Sequence, residues 1–383
     1  MKSVRLGIIG LGMGGVHARY LLDGKVNRCE LTAVCDMDPN RLAKYNNLRT
    51  FRDAGEMFNS GTIDAVLIAT PHYSHTTLGI SALKKGLHVL VEKPISVHKA
   101  DCEKLLEAHR GKKQVFAAMF NLRCTSIYKK IRHLVTSGEL GEIRRVNWII
   151  TNWFRTEAYY ASGGWRATWG GEGGGVLLNQ CPHNLDLFQW MFGMPDRVRG
   201  FCQFGRYHKI EVEDDVTAYF EYKDGKTGVF VASTGEAPGT NRLEVTGEKG
   251  RLVFENNKIL FTRNEAPMTE FSRTTDQGFA MPPVWEVAIP VPADTGAGHQ
   301  ELTQNFVDAI LDGAPLVAPA KDGMRSVELA NAILLSTFEN KTIDLPMNSA
   351  QYERHLKRLI AASKFKKKEV KPAVNDLSKS FNK

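Results

Sequence analysis

The chain has 383 residues, more than one ordinary hydrophobic core holds, so two domains of about 100–200 residues each are expected. Hydrophobic residues make up 43% and charged residues 24%, and no stretch approaches the roughly 20 uninterrupted apolar residues of a transmembrane helix. The net charge is +8, with much of the excess in the tail from Lys364 to Lys383, where a solvated end is a simpler interpretation than a nucleic-acid or membrane contact.

The six cysteines are scattered, with no CxxC pair and no cluster with histidines at metal-ligand spacing. This pattern argues against a structural zinc site and against the disulfide scaffold of a secreted domain. We therefore expect no bound metal and a reducing, cytoplasmic location.

Apolar strands alternate with helices over the first 120 or so residues. The stretch from Val4 to Ile9 predicts a buried strand, and a helix follows through Leu22. Strands are then predicted at 31–35, 65–69, 88–91 and 115–119, and helices near 41–45, 74–85 and 101–109. This rhythm predicts a doubly wound parallel sheet, which we place in a domain at residues 1–123.

Strands dominate the second part of the chain. Strands are predicted at 144–153, 216–222, 228–234, 242–247 and 251–254, helices at 126–137, 177–191, 300–311 and 326–337, and a long loop at 264–297. The alternation within these strands predicts an antiparallel sheet with one covered face. We place this second domain at residues 124–345 and a basic, partly flexible extension, which includes Lys366, Lys367 and Lys368, at 346–383.

The glycine motif Gly10-x-Gly12-x-x-Gly15 lies between the first predicted strand and its helix. In this context Gly12 lets the backbone approach a pyrophosphate, and the helix N-terminus after Met13 offers unpaired N–H groups. Asp36 ends the second strand, where a carboxylate accepts hydrogen bonds from an adenosine ribose. The motif thus predicts a dinucleotide site; the alternative is a tight turn that binds nothing.

Asp36 also bears on the choice of cofactor. A carboxylate at this place repels a 2′-phosphate, so NAD is favoured over NADP. Arg41, one turn into the next helix, weakens that preference, and NADP is retained as the alternative.

The sequence Glu92-Lys93-Pro94 follows the strand predicted at 88–91, at an edge of the sheet where open α/β proteins bind ligands. A lysine there donates a hydrogen bond to a substrate hydroxyl and stabilises the alkoxide that forms as hydride leaves. The alternative is a surface lysine after a strand.

The glycine run 173–175 precedes a predicted helix that carries Asn179, His183 and Asp186. Asn179 and His183 are four residues apart and share a face of one helix, and Asp186 is within reach of the same face. Histidine is a natural acceptor for the proton of an alcohol near neutral pH, and Asp186 would set its tautomer or orientation. The alternative is a structural histidine.

With these motifs in place, the chain resembles the GFO/IDH/MocA family of oxidoreductases from about Val4 to Thr342. The resemblance implies an α/β fold: a Rossmann domain followed by an α/β domain with an open, mostly antiparallel sheet that carries contacts of a homodimer or homotetramer. Lys93 and His183 match the family's active-site lysine and histidine. The resemblance also implies contacts with the cofactor from Thr70, Pro71, His75, Glu92, Asn121, Trp165 and Arg166, and with the substrate from Arg123.

One position departs from this pattern. Many dehydrogenases of the family carry an aspartate four residues before the histidine, where this chain has Asn179. Asparagine holds a substrate hydroxyl but does not accept a proton as a carboxylate does, so the role of base falls on His183.

Aromatic and polar residues between 153 and 169 indicate a carbohydrate substrate, since sugars stack on aromatic rings while polar neighbours hold their hydroxyls. The residues singled out are Trp153, Arg155, Tyr159 and Tyr160. A packed domain interface is the alternative for any single ring.

These observations predict an NAD-dependent dehydrogenase acting on a secondary alcohol of a sugar, glycoside or cyclitol. His183 accepts the proton, Lys93 positions the oxygen, and Asn179 and Asp186 orient substrate and base. One alternative is a hydrolase or lyase that cleaves glycosides by transient oxidation with tightly bound NAD. A non-catalytic NAD-binding regulator is the other.

Overall fold

The computed structural model describes residues 2–294 and 296–365. Its first sheet has six strands: β1 (Val4–Ile9), β2 (Cys29–Cys35), β3 (Arg49–Phe51), β4 (Ala65–Ile68), β5 (His88–Val91) and β6 (Phe116–Ala118). The accompanying helices are α1 (Gly14–Leu22), α2 (Pro39–Leu42), α3 (Ala54–Asn59), α4 (His72–Lys84) and α5 (Lys99–His109).

All pairings in this sheet are parallel, in the order β3-β2-β1-β4-β5-β6. The central strand β4 is buried along its whole length, as expected of a parallel strand covered by helices on both faces. Chain connections reverse direction between β1 and β4, and the carboxyl ends of these strands border a crevice. The predicted Rossmann-type sheet is confirmed.

The second sheet has nine strands: β7 (Ile143–Ile150), β8 (Arg197–Phe204), β9 (Glu213–Glu221), β10 (Thr227–Ser233), β11 (Asn241–Gly247), β12 (Gly250–Glu255), β13 (Lys258–Asn264), β14 (Val284–Ile289) and β15 (Ile343–Asp344). The helices in this half are α6 (Ser126–Thr136), α7 (Glu157–Ala161), α8 (Val176–Asn179), α9 (Pro182–Phe192), α10 (Met268–Thr274), α11 (Gly298–Asp312), α12 (Ala320–Glu339) and α13 (Ser349–Ala362). The strand order is β14-β13-β12-β11-β7-β10-β9-β8-β15, and every pairing is antiparallel except that of β7 with β10. The predicted mostly antiparallel sheet is therefore confirmed.

Helices α9 and α12 cover one face of the second sheet. Phe188 of α9 packs edge-on against Phe220 of β9, with ring centroids 5.0 Å apart. Trp148 of β7 stacks on the ring of Phe188. Gly200 of β8 lies against Ile333 of α12, where a β-carbon would come within 2.3 Å of the Ile333 carbonyl oxygen. No helix of the described residues is both long and apolar enough to cross a membrane.

Two predictions of secondary structure were wrong. The helix expected at 177–191 is divided into α8 and α9, because Pro182 lacks the N–H that would continue the first helix and instead begins the second. The stretch 264–297 is not all loop, because β14 pairs with β13 in register along six residues, Leu260 facing Ala288. Pairing with a neighbouring strand outweighs the turn-rich composition around β14.

The predicted extension at 346–383 begins with α13, which buries Tyr352 and Leu356. Residues 366–383, which include Lys366, Lys367 and Lys368, lie outside the described part of the chain.

Candidate active site

A cleft of about 1510 Å³ lies where the carboxyl ends of β1, β4 and β5 meet residues of the second half of the chain. The sequence-predicted residues that line it are Gly10, Gly12, Met13, Asp36, Arg41, Thr70, Pro71, His75, Glu92, Lys93, Asn121, Trp153, Arg155, Tyr159, Trp165, Arg166, Asn179 and His183. Segments as far apart in the chain as Gly10 and His183 thus contribute to one concave site.

Several polar groups on this cleft are buried without a hydrogen-bond partner within the described residues. They are Thr70 Oγ1, Asn121 Oδ1, Asn152 Oδ1, Trp153 Nε1, Gln180 Oε1, His183 Nδ1 and Asn184 Oδ1. Because buried polar groups are normally paired, such a concentration along one cleft indicates a surface shaped for a polar ligand.

The glycine loop leaves room for a dinucleotide. Gly10 has φ +87°, and a β-carbon there would lie 2.6 Å from the carbonyl oxygen of Ala69, so only glycine fits. At Gly12 a β-carbon would meet nothing closer than Arg41 Nη1 at 3.7 Å, and the loop stays open toward the cleft. Met13 is the N-cap of α1 and gives its helix no side-chain cap, which suits a pyrophosphate at the helix N-terminus.

Gly15 does not line the cleft. It lies in the first turn of α1, where a β-carbon would be 3.6 Å from the hydroxyl of Tyr45. The glycine required for close packing between helix and strand is Gly14, since a β-carbon there would come within 2.7 Å of Ile8.

Asp36 holds the glycine loop as well as facing the cleft. Its carboxylate accepts hydrogen bonds from the backbone N–H groups of Leu11 (2.7 Å) and Asp38 (2.9 Å). The guanidinium of Arg41 lies 3.3 Å from the same carboxylate. The residue expected to meet a ribose therefore also fixes the loop that would meet the pyrophosphate.

Lys93 lies beyond the end of β5, on the cleft, and its peptide bond to Pro94 is cis. Its ammonium donates a hydrogen bond to the carbonyl oxygen of Asn179 at 3.0 Å, and so reaches from the first sheet to α8. Burial lowers the pKa of Lys93 below its ordinary value of 10.5, against the opposing charges of Glu92 and Glu172.

Glu92 lines the cleft and is hydrogen-bonded to the buried His17. Burial alone would raise its pKa, but the hydrogen bond from His17 (2.7 Å) and the charges of His17, His299 and Lys93 lower it to about 2. His17 also contacts the hydroxyl of Tyr20 at 2.8 Å. The sequence interpretation missed His17 and His299, because no local pattern shows that α1 and α11 meet β5.

His183 has an exposed fraction of 7% and borders the cleft near Lys93. Burial, reinforced by the charge of Lys93, lowers the pKa of His183 well below its ordinary 6.5. The imidazole is therefore neutral at neutral pH, the form that accepts a proton.

Asn179 is held at both ends of its amide. Its Nδ2 donates a hydrogen bond to Glu172, and its Oδ1 accepts one from the hydroxyl of Tyr159 at 3.4 Å. The Tyr159 oxygen in turn accepts from Arg166 at 2.8 Å. The sequence interpretation missed Glu172, although its position directly before the glycine run is a signal that it lies close to the cleft.

Asp186 does not orient His183, contrary to the prediction. Its two oxygens accept hydrogen bonds from Arg123 at 2.6 and 2.7 Å, and both side chains are 1% exposed. Arg123, predicted to bind substrate, also binds Asp322 at 3.0 Å, and neither Arg123 nor Asp186 lines the cleft. Asp186 lies three residues after His183 on α9. Because nearly every residue of this helix is buried, the Asp186 side chain meets the protein interior and not the cleft.

Tyr160, also predicted to meet substrate, is buried and does not line the cleft. Its hydroxyl donates to Thr234 at 2.8 Å and its ring packs on His208, with centroids 4.8 Å apart. Trp153, Arg155 and Tyr159, in contrast, do line the cleft. The guanidinium of Arg155 lies over the rings of Trp153 and Tyr159, at 5.4 and 5.0 Å from their centroids.

Two further features concern bound groups and thiols. Within the described residues, no three His, Cys, Asp or Glu side chains are grouped as a metal site. All six cysteines fall within these residues and none forms a disulfide.

The fold, the glycine loop and the lysine at the end of β5 define a dinucleotide-dependent oxidoreductase. Residues 4–120 match the model of an oxidoreductase family with an NAD-binding Rossmann fold, and residues 128–253 match the GFO/IDH/MocA C-terminal domain. The chain belongs to the GFO/IDH/MocA family and is an NAD-dependent dehydrogenase.

Three relatives cover between 75% and 89% of the chain. It is 30% identical over 351 residues to the rhizopine catabolism protein MocA of Rhizobium meliloti, with 89% of this chain and 98% of that protein covered. It is 25% identical over 354 residues to myo-inositol 2-dehydrogenase of Thermotoga maritima, with the same shares covered. Levoglucosan dehydrogenase of Pseudarthrobacter phenanthrenivorans is 25% identical, with 75% of this chain and 81% of that protein covered.

Solved structures share the fold. The WlbA dehydrogenase of Bordetella pertussis, in complex with NADH and UDP-GlcNAcA, superposes with a TM-score of 0.76 at 23% identity, covering 90% of this chain and 100% of that one. Levoglucosan dehydrogenase in complex with NADH and L-sorbose gives a TM-score of 0.77 at 18% identity, covering 91% and 100%. At these identities the likeness concerns the fold.

Proposed function

We propose that this dehydrogenase oxidises a secondary alcohol of a sugar, glycoside or cyclitol, with His183 as the base and Lys93 positioning the hydroxyl. The observation that carries the proposal is that Lys93 and His183 border one cleft, beside the open glycine loop, and that the charge of Lys93 helps to lower the pKa of His183. The nicotinamide of NAD supplies the hydride acceptor when it is bound.

The residues divide the cleft into two parts. Gly12, Asp36 and the N-terminus of α1 would hold the pyrophosphate and adenosine ribose, and Thr70, Pro71, His75, Asn121, Trp165 and Arg166 would surround the nicotinamide and its ribose. The substrate would lie on the other side of Lys93, against the wall of Trp153, Arg155 and Tyr159. Aromatic rings with polar neighbours suit the C–H faces and hydroxyls of a sugar.

The proton and the developing charge go to different residues. His183 is neutral and accepts the hydroxyl proton, while the ammonium of Lys93 donates a hydrogen bond to the oxygen as its negative charge grows. Asn179 lies on the same cleft and would supply a fixed hydrogen-bond partner for a neighbouring hydroxyl.

The substrate class draws on the relatives named above, which act on myo-inositol and levoglucosan by their names. The test is a panel of myo-inositol, levoglucosan, methyl glucosides and UDP-GlcNAcA, each assayed with NAD and with NADP at 340 nm. We expect NADH to accumulate with at least one polyol or glycoside, and more slowly with NADP.

The same panel separates the alternatives. Consumption of a glycoside without net NADH would support transient oxidation instead. Binding of NADH with no turnover of any compound would refute a catalytic role. Purified Lys93→Ala protein, assayed in parallel, controls for contaminating dehydrogenases.

We further propose that the uncovered face of the second sheet joins subunits of a homodimer or homotetramer. Phe201 (53% exposed) and Tyr219 (40%) stand out from β8 and β9, and Ile149 of β7 (36%) pairs with Val231 on the same face. Light scattering after gel filtration checks this, and a monomer at micromolar concentration would refute it.

A further inference from the structure

Glu172 is a buried carboxylate that the reaction described above does not use. It is 1% exposed, lies in the loop before α8, and is not among the residues that line the cleft. One oxygen accepts the backbone N–H of Ala167 at 2.7 Å, and the other accepts the side-chain amide N–H of Asn179.

This arrangement fixes which way the amide of Asn179 points. A carboxylate accepts hydrogen bonds and donates none, so only the NH₂ group of Asn179 pairs with it. The amide oxygen is then left for the cleft side, where the hydroxyl of Tyr159 meets it. The carboxylate of Glu172 thus fixes the nitrogen end of the amide, and the hydroxyl of Tyr159, which accepts from Arg166 and Gln180, fixes the oxygen end.

Glu172 also acts on Lys93 through charge. The carboxylate raises the pKa of Lys93 and so opposes the effect of burial, while Lys93 lowers the pKa of Glu172, which burial raises. The backbone oxygen of Asn179 accepts the hydrogen bond of the Lys93 ammonium, so both contacts converge on one residue. Three other groups act on Lys93: Glu92 raises its pKa, and Arg155 and Arg166 lower it. Lys93 in turn lowers the pKa of four neighbouring histidines, His72, His75, His183 and His299.

We propose that Glu172 is a positioning residue, which orients the amide of Asn179 next to the hydrogen bond of Lys93, and that it supplies from the neighbouring loop the carboxylate that Asn179 lacks. The proposal rests on the function proposed for Lys93. Although this chain has the amide of Asn179 four residues before His183, Glu172 would still provide a negative charge close to Lys93.

The decisive variants exchange the two functional groups. In Glu172→Gln the new amide keeps an oxygen for the N–H of Ala167 but turns its NH₂ toward the NH₂ of Asn179, donor against donor. In the double variant Glu172→Gln/Asn179→Asp, the amide and carboxylate are complementary again with the charge moved one hydrogen bond closer to the cleft. Glu211→Gln is the matched control, because Glu211 also accepts a backbone N–H of this loop, from Trp169 at 2.9 Å, and does not line the cleft.

Two measurements are made on each purified variant. The first is the pH dependence of kcat and KM with NAD and the panel compound that is turned over. The second is trace labelling of Lys93 by acetic anhydride at a series of pH values, quantified on its peptide by mass spectrometry, which reports the unprotonated lysine without any turnover.

We expect Glu172→Gln to lower kcat about ten- to hundredfold, the loss of a hydrogen bond to a charged group, with NADH binding unchanged. Labelling of Lys93 and the alkaline limb of kcat should both move to lower pH. The double variant should restore both, and Glu211→Gln should match the wild type.

A Glu172→Gln variant that loses only thermal stability, with kcat and the labelling of Lys93 unchanged, would overturn the proposal, as would a folded double variant without recovery. If Glu172→Gln does not fold, the double variant is compared directly with the wild type, and labelling of Lys93 at clearly lower pH in the folded double variant refutes the role. If no compound is turned over, the proposed function fails while the labelling still decides the role of Glu172.

Discussion

Removing the ammonium of Lys93 is the most direct perturbation of the proposed reaction. The ammonium is already held by its hydrogen bond to the Asn179 carbonyl oxygen at 3.0 Å, so it is aligned before substrate arrives. Loss of one pre-aligned donor to a developing oxyanion costs about 10²–10³ in kcat, or about 2.7–4 kcal/mol. We therefore expect Lys93→Ala to lower kcat at least about a hundredfold.

The assay is initial velocity at 340 nm with saturating NAD, over a range of concentrations of the active panel compound. Lys85→Ala is the control, since Lys85 is an exposed lysine at the end of α4. NADH binding, followed by fluorescence, separates a catalytic loss from a loss of cofactor. A kcat for Lys93→Ala close to that of Lys85→Ala would refute the mechanism.

Three further outcomes are expected. Asp36→Ser should lower the ratio of kcat/KM for NAD to that for NADP, because the charge that repels a 2′-phosphate is lost; an unchanged ratio would remove Asp36 from cofactor selection. Arg123→Met removes the charge partner of the buried Asp186 carboxylate, which keeps a hydrogen bond from Gln189, and should cost about 3–5 kcal/mol in the free energy of unfolding, measured by urea denaturation. Adding Asp186→Leu should recover part of this loss, and no recovery would contradict a buried pair. Burial holds the pKa of His183 below 6.5, so kcat/KM should stay level as pH falls through 6.5. Burial also holds the pKa of Lys93 below 10.5, so kcat/KM should decline before the pH rises to 10.5. An acid limb at pH 6.5 would show that another group is the base.

Local spacing was enough to predict that the glycine loop and Asp36 lie together on the cleft. Gly10 and Gly12 lie between a buried strand and its helix, and Asp36 ends the next strand, so covalent connection alone brings them together. The same holds for Lys93, which follows a central parallel strand and must therefore emerge at the ligand-binding edge of the sheet.

Helical spacing was a poorer guide beyond His183. Asp186 is three residues away on the same helix, yet its carboxylate is taken by Arg123, 63 residues earlier in the chain. A buried helix offers several faces to partners, and periodicity alone does not say which partner each face meets. The division into α8 and α9 at Pro182 could have been predicted, because proline lacks the donor that an unbroken helix requires.

The sequence by itself determined the type of sheet, the glycine loop and the positions of Asp36, Lys93 and His183, because these depend on strand ends and on residues close together in the chain. Only the tertiary structure decided that Arg123 and Asp186 form a buried pair and that Glu172 orients Asn179. Those roles depend on where distant elements meet and on which way a side chain points in a loop. Position 179 carries an amide and not a carboxylate, but the carboxylate of Glu172 is hydrogen-bonded to that amide.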